Sequence, residues 1–231
     1  MRIQAVFFDL FETLITEFEE GQRKSVRSID YFELFGLRNE DFKREWGNRQ
    51  VQRMTGLLPN YFAAIKDILE SRNLKIDTQV LDRLYHDRVV EKRIPFQQIH
   101  PEIIRTLDRL RAMDMKLGII SNCTEEEVRH WHESELAGYF DDVIFSYEVG
   151  AAKPDGQIYK LACERLEVAP GQSVFVGDGG SKELDGASKA GLLPFHAIWF
   201  NTYIESAYKK LLHPEQLLDE LAVLSNQPGP G

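Results

Sequence analysis

Residues 7–14 read Phe7-Phe8-Asp9-Leu10-Phe11-Glu12-Thr13-Leu14, an apolar run that stops at a carboxylate and passes into a turn. The run starts at Ile3, is short and is apolar from Ala5 to Phe8, as expected of a parallel-sheet strand buried on both faces. An acid at the end of such a strand is either a turn cap or a functional group, and the residue alone does not decide between them.

The texture changes downstream. From about Glu17 to Pro95 the chain is rich in Lys, Arg, Glu and Asp, and its apolar residues recur at helical spacing. Tyr61, Ile65, Ile68 and Leu69 make one such face; Val80, Leu81, Leu84 and Tyr85 make another. This stretch reads as a helical bundle. Beyond Pro95, strand and helix alternate: a helix over Glu102–Ala112, a strand over Lys116–Ile120, a helix over Glu125–Glu135 and a strand over Val143–Phe145. Pro154 is expected to open the next helix. A strand over Ser173–Val176, a helix from Glu183 stopped by Gly191, and a last strand over Phe195–Trp199 follow, and the QPGPG tail is expected to fray. Alternation of this kind predicts an α/β fold with a doubly wound parallel sheet, polar residues at its carboxyl ends marking a site. The helical block enters just after the first strand, so it is placed to act as a lid over those ends.

Composition narrows the function. The 231 residues carry a formal net charge of -9, which opposes nucleic acid and anionic membrane surfaces. An acidic protein that binds phosphate then needs a local cation or metal. The amino-terminal run is too short and acidic for a signal peptide and no run reaches transmembrane length, so a cytoplasmic location is expected. Two cysteines make no disulfide framework. Cys163 reads as core, and Cys123 as a buried structural thiol with no histidine placed to activate it.

Three further stretches carry polar groups, two at strand ends and one before a proline-started helix. Ser121 and Asn122 follow a strand, Lys153 precedes Pro154, and Gly177-Asp178-Gly179-Gly180 brings an acid and a flexible backbone to another strand end. Each alone is weak, since caps and solvated lysines account for most such residues. Their order, placement and spacing together resemble the haloacid dehalogenase-like (HAD) hydrolase superfamily over nearly the whole chain. The resemblance implies a Rossmann-like core of residues 1–16 and 96–231, with residues 17–95 forming an all-helical cap. It implies that Asp9 is a nucleophile forming an aspartyl-phosphate that water hydrolyses. Thr13 matches a hydroxyl near the phosphate, Ser121 the phosphate-binding residue of the second motif, with Asn122 beside it, and Lys153 the neutralising lysine. Asp178 matches a Mg²⁺ ligand, joined by Asp9, the Phe11 carbonyl and Glu183, directly or through water. Asp185 is expected at the surface.

The chain departs from the pattern at Phe11, where family phosphatases usually carry an Asp that transfers protons. An aromatic here is typical of the 2-haloacid dehalogenases, which use the same carboxylate to displace halide without metal. Those enzymes carry Ser where this chain has Asp178, and a second acid beside Asp9 calls for a cation between them. The reading that follows is a Mg²⁺-dependent phosphatase of a small phosphorylated metabolite. A dehalogenase and a non-catalytic or slow phospho-ligand-binding member are the alternatives. Glu12, where the family usually has Gly, either replaces the missing acid or is structural. Arg44, Arg49 and Arg53 recur near Trp46 on a cap helix, each a candidate for binding a substrate carboxylate or phosphate or for lying solvated. Substrate identity and oligomeric state are left open.

Overall fold

The computed structural model describes residues 2–25 and 28–225; the expected fraying of the QPGPG tail lies outside them. Strand β1 (Ala5–Phe8) is followed by a hairpin, β2 (Phe18–Glu19) and β3 (Gln22–Arg23). Five helices come next: α1 (Tyr31–Phe35), α2 (Asn39–Asn48), α3 (Gln50–Met54), α4 (Tyr61–Ser71) and α5 (Thr78–Gln97). The remainder alternates: α6 (Pro101–Ala112), β4 (Lys116–Ser121), α7 (Glu125–Val128), β5 (Asp142–Phe145), α8 (Ser146–Val149), α9 (Gly156–Arg165) and β6 (Ser173–Gly177). Last come α10 (Glu183–Lys189), β7 (Leu193–Ala197), β8 (Lys209–Leu211) and α11 (Gln216–Ser225).

Six strands form one parallel sheet in the order β5-β4-β1-β6-β7-β8. Every residue of β1 and β6 is buried, because helices cover both faces of a parallel sheet and leave no solvated side. Alternation divides the strands between two cores. Val6 and Phe8 join Leu107, Leu110, Trp131 and Leu217 on one face. Ala5 and Phe7 join Tyr159, Phe175 and Leu184 on the other. A third core of Phe42, Tyr61, Ile65, Ile68, Leu81 and Leu84 holds the inserted helices together, which is the apolar face read from their spacing.

Four expectations need correction. The stretch after Glu17 starts as a hairpin, with Glu20 (φ 50) and Gly21 (φ 77) making its turn; two consecutive positive φ values match the twist of a two-residue hairpin, a local signal that outranks the charged texture. Helix α5 runs through Pro95 to Gln97, and its Phe96 is buried in the main core. The expected helix over Glu125–Glu135 is one turn of α-helix followed by 3₁₀ turns over Trp131–Glu133 and Glu135–Tyr139. There Ser134 caps the second turn through Leu136 N–H, a use of serine that competes with a continuing helix. Pro154 does not open α9: Asp155 is its N-cap, accepting from Gln157 N–H, so the helix starts at Gly156. The last long strand is Leu193–Ala197, and the short β8 extends the sheet beyond it.

The α7 turn ties the inserted helices to the sheet. Glu125 accepts from the Tyr85 hydroxyl, Glu126 from Tyr61 N–H at 3.1 Å, and Glu127 from Arg88 at 3.1 Å and Lys92 at 2.9 Å. Burial pushes the Glu127 carboxyl up, but Lys92 and Arg88 outweigh it and hold the group down at about 2. A carboxyl whose folded pKa lies below its unfolded value stabilises the fold above the unfolded pKa and loses that contribution as pH falls toward the folded one. Glu127→Gln is therefore expected to cost about 3 kcal/mol at neutral pH. The gap from wild type is expected to close between about pH 5 and pH 2. Urea unfolding midpoints across that range check it; a gap independent of pH would refute the assignment.

Candidate active site

Three strand ends meet at the site. Asp9 leaves β1 with its N–H bonded to the Val176 carbonyl at 2.9 Å, Ser121 ends β4, and Asp178 follows β6. The carboxylates of Asp9, Asp178 and Glu183 are all buried and each offers an oxygen within 4.8 Å of the others. Lys153, also buried, places its ammonium against both Asp9 Oδ1 and Glu183 Oε2.

Each of these groups is held from behind. Asn122 donates to the Lys153 carbonyl and accepts from the Lys153 N–H, both at 2.8 Å, so its amide is spent on fixing the Lys153 loop. Asp178 Oδ1 accepts from Gly180 N–H at 2.8 Å and Oδ2 from Asn201 at 2.7 Å, while its carbonyl meets His196 Nε2 at 2.8 Å. Glu183 Oε1 accepts from Gly179 N–H at 3.0 Å. A Cβ on Gly177 would lie 2.2 Å from that oxygen; only glycine at the strand end lets Glu183 tuck beneath it. Asn201 and His196 were not found from the sequence, because they lie after and within the late strand β7 and belong to no local pattern.

Electrostatics follow from sealing three acids around one cation. Burial pushes the Asp9 carboxyl up against the pull of Lys153, and Asp178 adds to the rise. Glu183 is likewise raised, by burial and by the Asp9 charge. Burial opposes the Lys153 ammonium, yet Asp9 and Glu183 hold its pKa above the ordinary lysine value. The hydroxyls of Thr13 and Ser121 are fully buried and have no hydrogen-bond partner among the described residues, and buried polar groups left so are rare without a ligand or water to meet them.

The remaining candidates separate cleanly. Phe11 is half-buried, edge-on to Phe96 at 6.4 Å, with Lys92 Nζ 5.3 Å from its ring centre. Glu12 accepts from the Thr16 hydroxyl at 2.6 Å and Glu17 N–H at 2.9 Å, which pins the start of the hairpin. Cys123 is buried and burial pushes its thiol well up, so no thiolate forms at neutral pH. Asp185 is exposed and accepts from Tyr208 at 3.0 Å. Arg44 pairs with Asp41 at 2.5 Å, and Arg49 with Glu45 and Asp67, both at 2.6 Å. Arg53 has no carboxylate partner among the described residues.

A parallel six-stranded sheet with an acid after its central strand and a lysine and two further acids converging on it defines a class of α/β hydrolase. The chain belongs to the haloacid dehalogenase-like hydrolases: the sequence model of that family matches residues 3–191. It is 30% identical over 201 residues to a glyceraldehyde 3-phosphate phosphatase of Methanopyrus kandleri, covering 83% of this chain and 82% of that protein. It is 27% identical over 233 residues to an (S)-2-haloacid dehalogenase of Pseudomonas putida, covering 97% and 96%. The fold matches the crystal structure of a 2-haloacid dehalogenase from Pseudomonas syringae pv. tomato with a TM-score of 0.67 over 96% of this chain and 99% of that one, at 23% identity. Among the described residues no helix is long and apolar enough to cross a membrane.

Proposed function

We propose that the protein is a Mg²⁺-dependent phosphohydrolase of small organic phosphates, with Asp9 as the nucleophile and helices α1–α5 as a cap over it. The observation that carries this reading is the second and third acid beside Asp9. Asp178 and Glu183 add two buried carboxyl groups, and one lysine does not balance all three acids when they are ionised. Displacing halide from carbon needs at most one further carboxylate, as the base that activates water for hydrolysis of the ester on Asp9, whereas hard carboxylate oxygens in this number suit Mg²⁺. Asp9, Asp178 and the Phe11 carbonyl would hold the ion, with Glu183 in support; once bound, it neutralises charge between the nucleophile and a phosphate oxygen.

The side chains then have these tasks. An Asp9 oxygen attacks phosphorus, and the bond to the alcohol oxygen breaks with its electron pair leaving on that oxygen. Water next attacks phosphorus, the bond between the Asp9 oxygen and phosphorus breaks with its pair returning to the carboxylate, one water proton stays on the departing phosphate and the other passes through solvent to the alkoxide. Lys153 offsets the repulsion between Asp9 and the phosphate oxygens, and the Thr13 and Ser121 hydroxyls supply donors that find no other partner. The phosphatase relatives act on small phosphorylated molecules by name, which supports the same class here.

Phe11 transfers no proton, so the leaving oxygen departs without an acid. Substrates with acidic leaving groups are expected to outpace alkyl phosphates by on the order of 10²-fold or more in kcat. Phosphate release from acetyl, aryl and alkyl phosphates with and without Mg²⁺ checks it; equal rates across the series would show that an acid is present after all. A second reading rests on Phe11 itself and on the dehalogenase relative that spans 97% of the chain. Metal-independent halide release from a 2-haloacid, without phosphate release from any ester, would establish it in place of the first.

A further inference from the structure

Asn201 is buried, 3% exposed, in the loop that follows β7. Its amide nitrogen donates to Asp178 Oδ2 at 2.7 Å, and its amide oxygen accepts from Tyr203 N–H at 3.3 Å. An ionised carboxylate only accepts hydrogen bonds, so the nitrogen of the amide has to face Asp178. The same loop is fastened to the site a second time, where Trp199 Nε1 donates to the Thr13 carbonyl at 2.8 Å. Asn201 is thus carried to Asp178 by a loop whose start is already fixed.

Every oxygen of the two acids that accompany Asp9 is engaged. Asp178 Oδ1 takes the Gly180 N–H at 2.8 Å and Oδ2 takes Asn201, while Glu183 Oε1 takes the Gly179 N–H at 3.0 Å and Oε2 takes Lys153. A carboxylate anchored at both oxygens still has a lone pair on each to offer a cation. It cannot turn both oxygens onto one ion without giving up a bond. That restraint separates two divalent ions. Mg²⁺ demands near-octahedral geometry, which favours a single oxygen from each carboxylate, whereas Ca²⁺ accepts more oxygens and often takes two from one carboxylate. Two of the four contacts come from backbone N–H groups and one from the lysine that balances charge. The fourth, Asn201, is the neutral side chain among them, and it acts on Asp178 alone.

We propose that Asn201 is a positioning residue that restrains Asp178 to one-oxygen coordination and so sets a preference for Mg²⁺ over Ca²⁺ at the acid cluster. This rests on the Mg²⁺-dependent reading. Mg²⁺ and Ca²⁺, titrated separately by calorimetry into the full chain without substrate, test it. Asn201→Ala is expected to weaken Mg²⁺ binding about 10- to 100-fold, the scale for groups that hold a metal ligand from behind. Ca²⁺ is expected to lose much less, because the freed carboxylate can offer it both oxygens, so the ratio of the Ca²⁺ to the Mg²⁺ dissociation constant falls by about tenfold. Asn201→Gln keeps the amide on a longer arm and is expected to give an intermediate ratio; it carries the test if thermal melts show that the alanine variant does not fold. Trp199→Phe frees the loop from Thr13 but keeps Asn201, and is expected to move both ions alike. A ratio unchanged in the Asn201 variants, or shifted as far by Trp199→Phe, makes Asn201 a loop anchor only and overturns the proposal while the Mg²⁺ site stands. If neither ion binds wild type, the cation reading falls and the proposal with it.

Discussion

Asp9→Asn is expected to lower turnover by on the order of 10⁴–10⁶-fold, the scale of removing a covalent nucleophile, while leaving the protein folded. The amide keeps the shape of the carboxylate and loses its charge, so substrate still fits but nothing attacks phosphorus. Stability is expected to move the other way. Asp9 is buried, burial and the Asp178 charge both disfavour its ionised form, and Lys153, with a hydrogen bond from the Leu10 N–H, works in its favour. Lys153 keeps Glu183 as a partner when Asp9 is neutralised. The variant is therefore expected to unfold at a urea concentration equal to or above that of wild type, a trade of stability for function common at active sites. Single-turnover assays and urea titrations in parallel check both halves. Residual activity above about one per cent would rule out the nucleophilic role, because losses of catalytic nucleophiles are far larger. Unfolding of the variant would instead make Asp9 a structural residue.

Much of this site is legible in the sequence because its groups sit at strand ends. An apolar run interrupted by an acid, as at Phe8-Asp9 and Gly177-Asp178, marks the point where a buried strand reaches the sheet edge, and parallel strands bring such points together. Ser121 follows by the same logic, whereas Lys153 reaches the site from the loop after α8. The supports behind them are not local. Asn201 meets Asp178 across 23 residues, and Lys92 links Glu17 to Glu127 across 75 and 35; no spacing rule connects such pairs. Glu125, Glu126 and Glu127 look like an ordinary acidic first turn, and their separate uses against Tyr85, Tyr61 and Lys92 appear only when the helices are packed. The arginines show the same division. Arg44, Arg49 and Arg53 are equivalent on a helical face as written, and only the positions of Asp41, Glu45 and Asp67 single out Arg53 as the one left without an acid.

Lys153→Met is expected to damage both catalysis and folding, and the two losses have one cause. Methionine fills much of the space of the lysine stem but leaves Asp9 and Glu183 facing each other, with Asp178 within 4.8 Å. Breaking a buried ion pair from one side costs about 3–5 kcal/mol, less whatever the acids recover by taking up protons, which burial already favours at both. Turnover is expected to fall by on the order of 10²–10³-fold, because the phosphate oxygens then approach Asp9 without an offsetting charge. Lys153→Arg is not expected to rescue it: the ammonium is enclosed between two carboxylates with its side chain 2% exposed, and a planar fork does not fit there. Melting temperatures with and without Mg²⁺ then separate the readings. If the three acids form a cation site, Mg²⁺ is expected to recover more stability in Lys153→Met than in wild type, since it supplies the charge the lysine provided. If Mg²⁺ changes neither protein, the acids are balanced among themselves by protons, and the site is closer to that of an enzyme that attacks carbon.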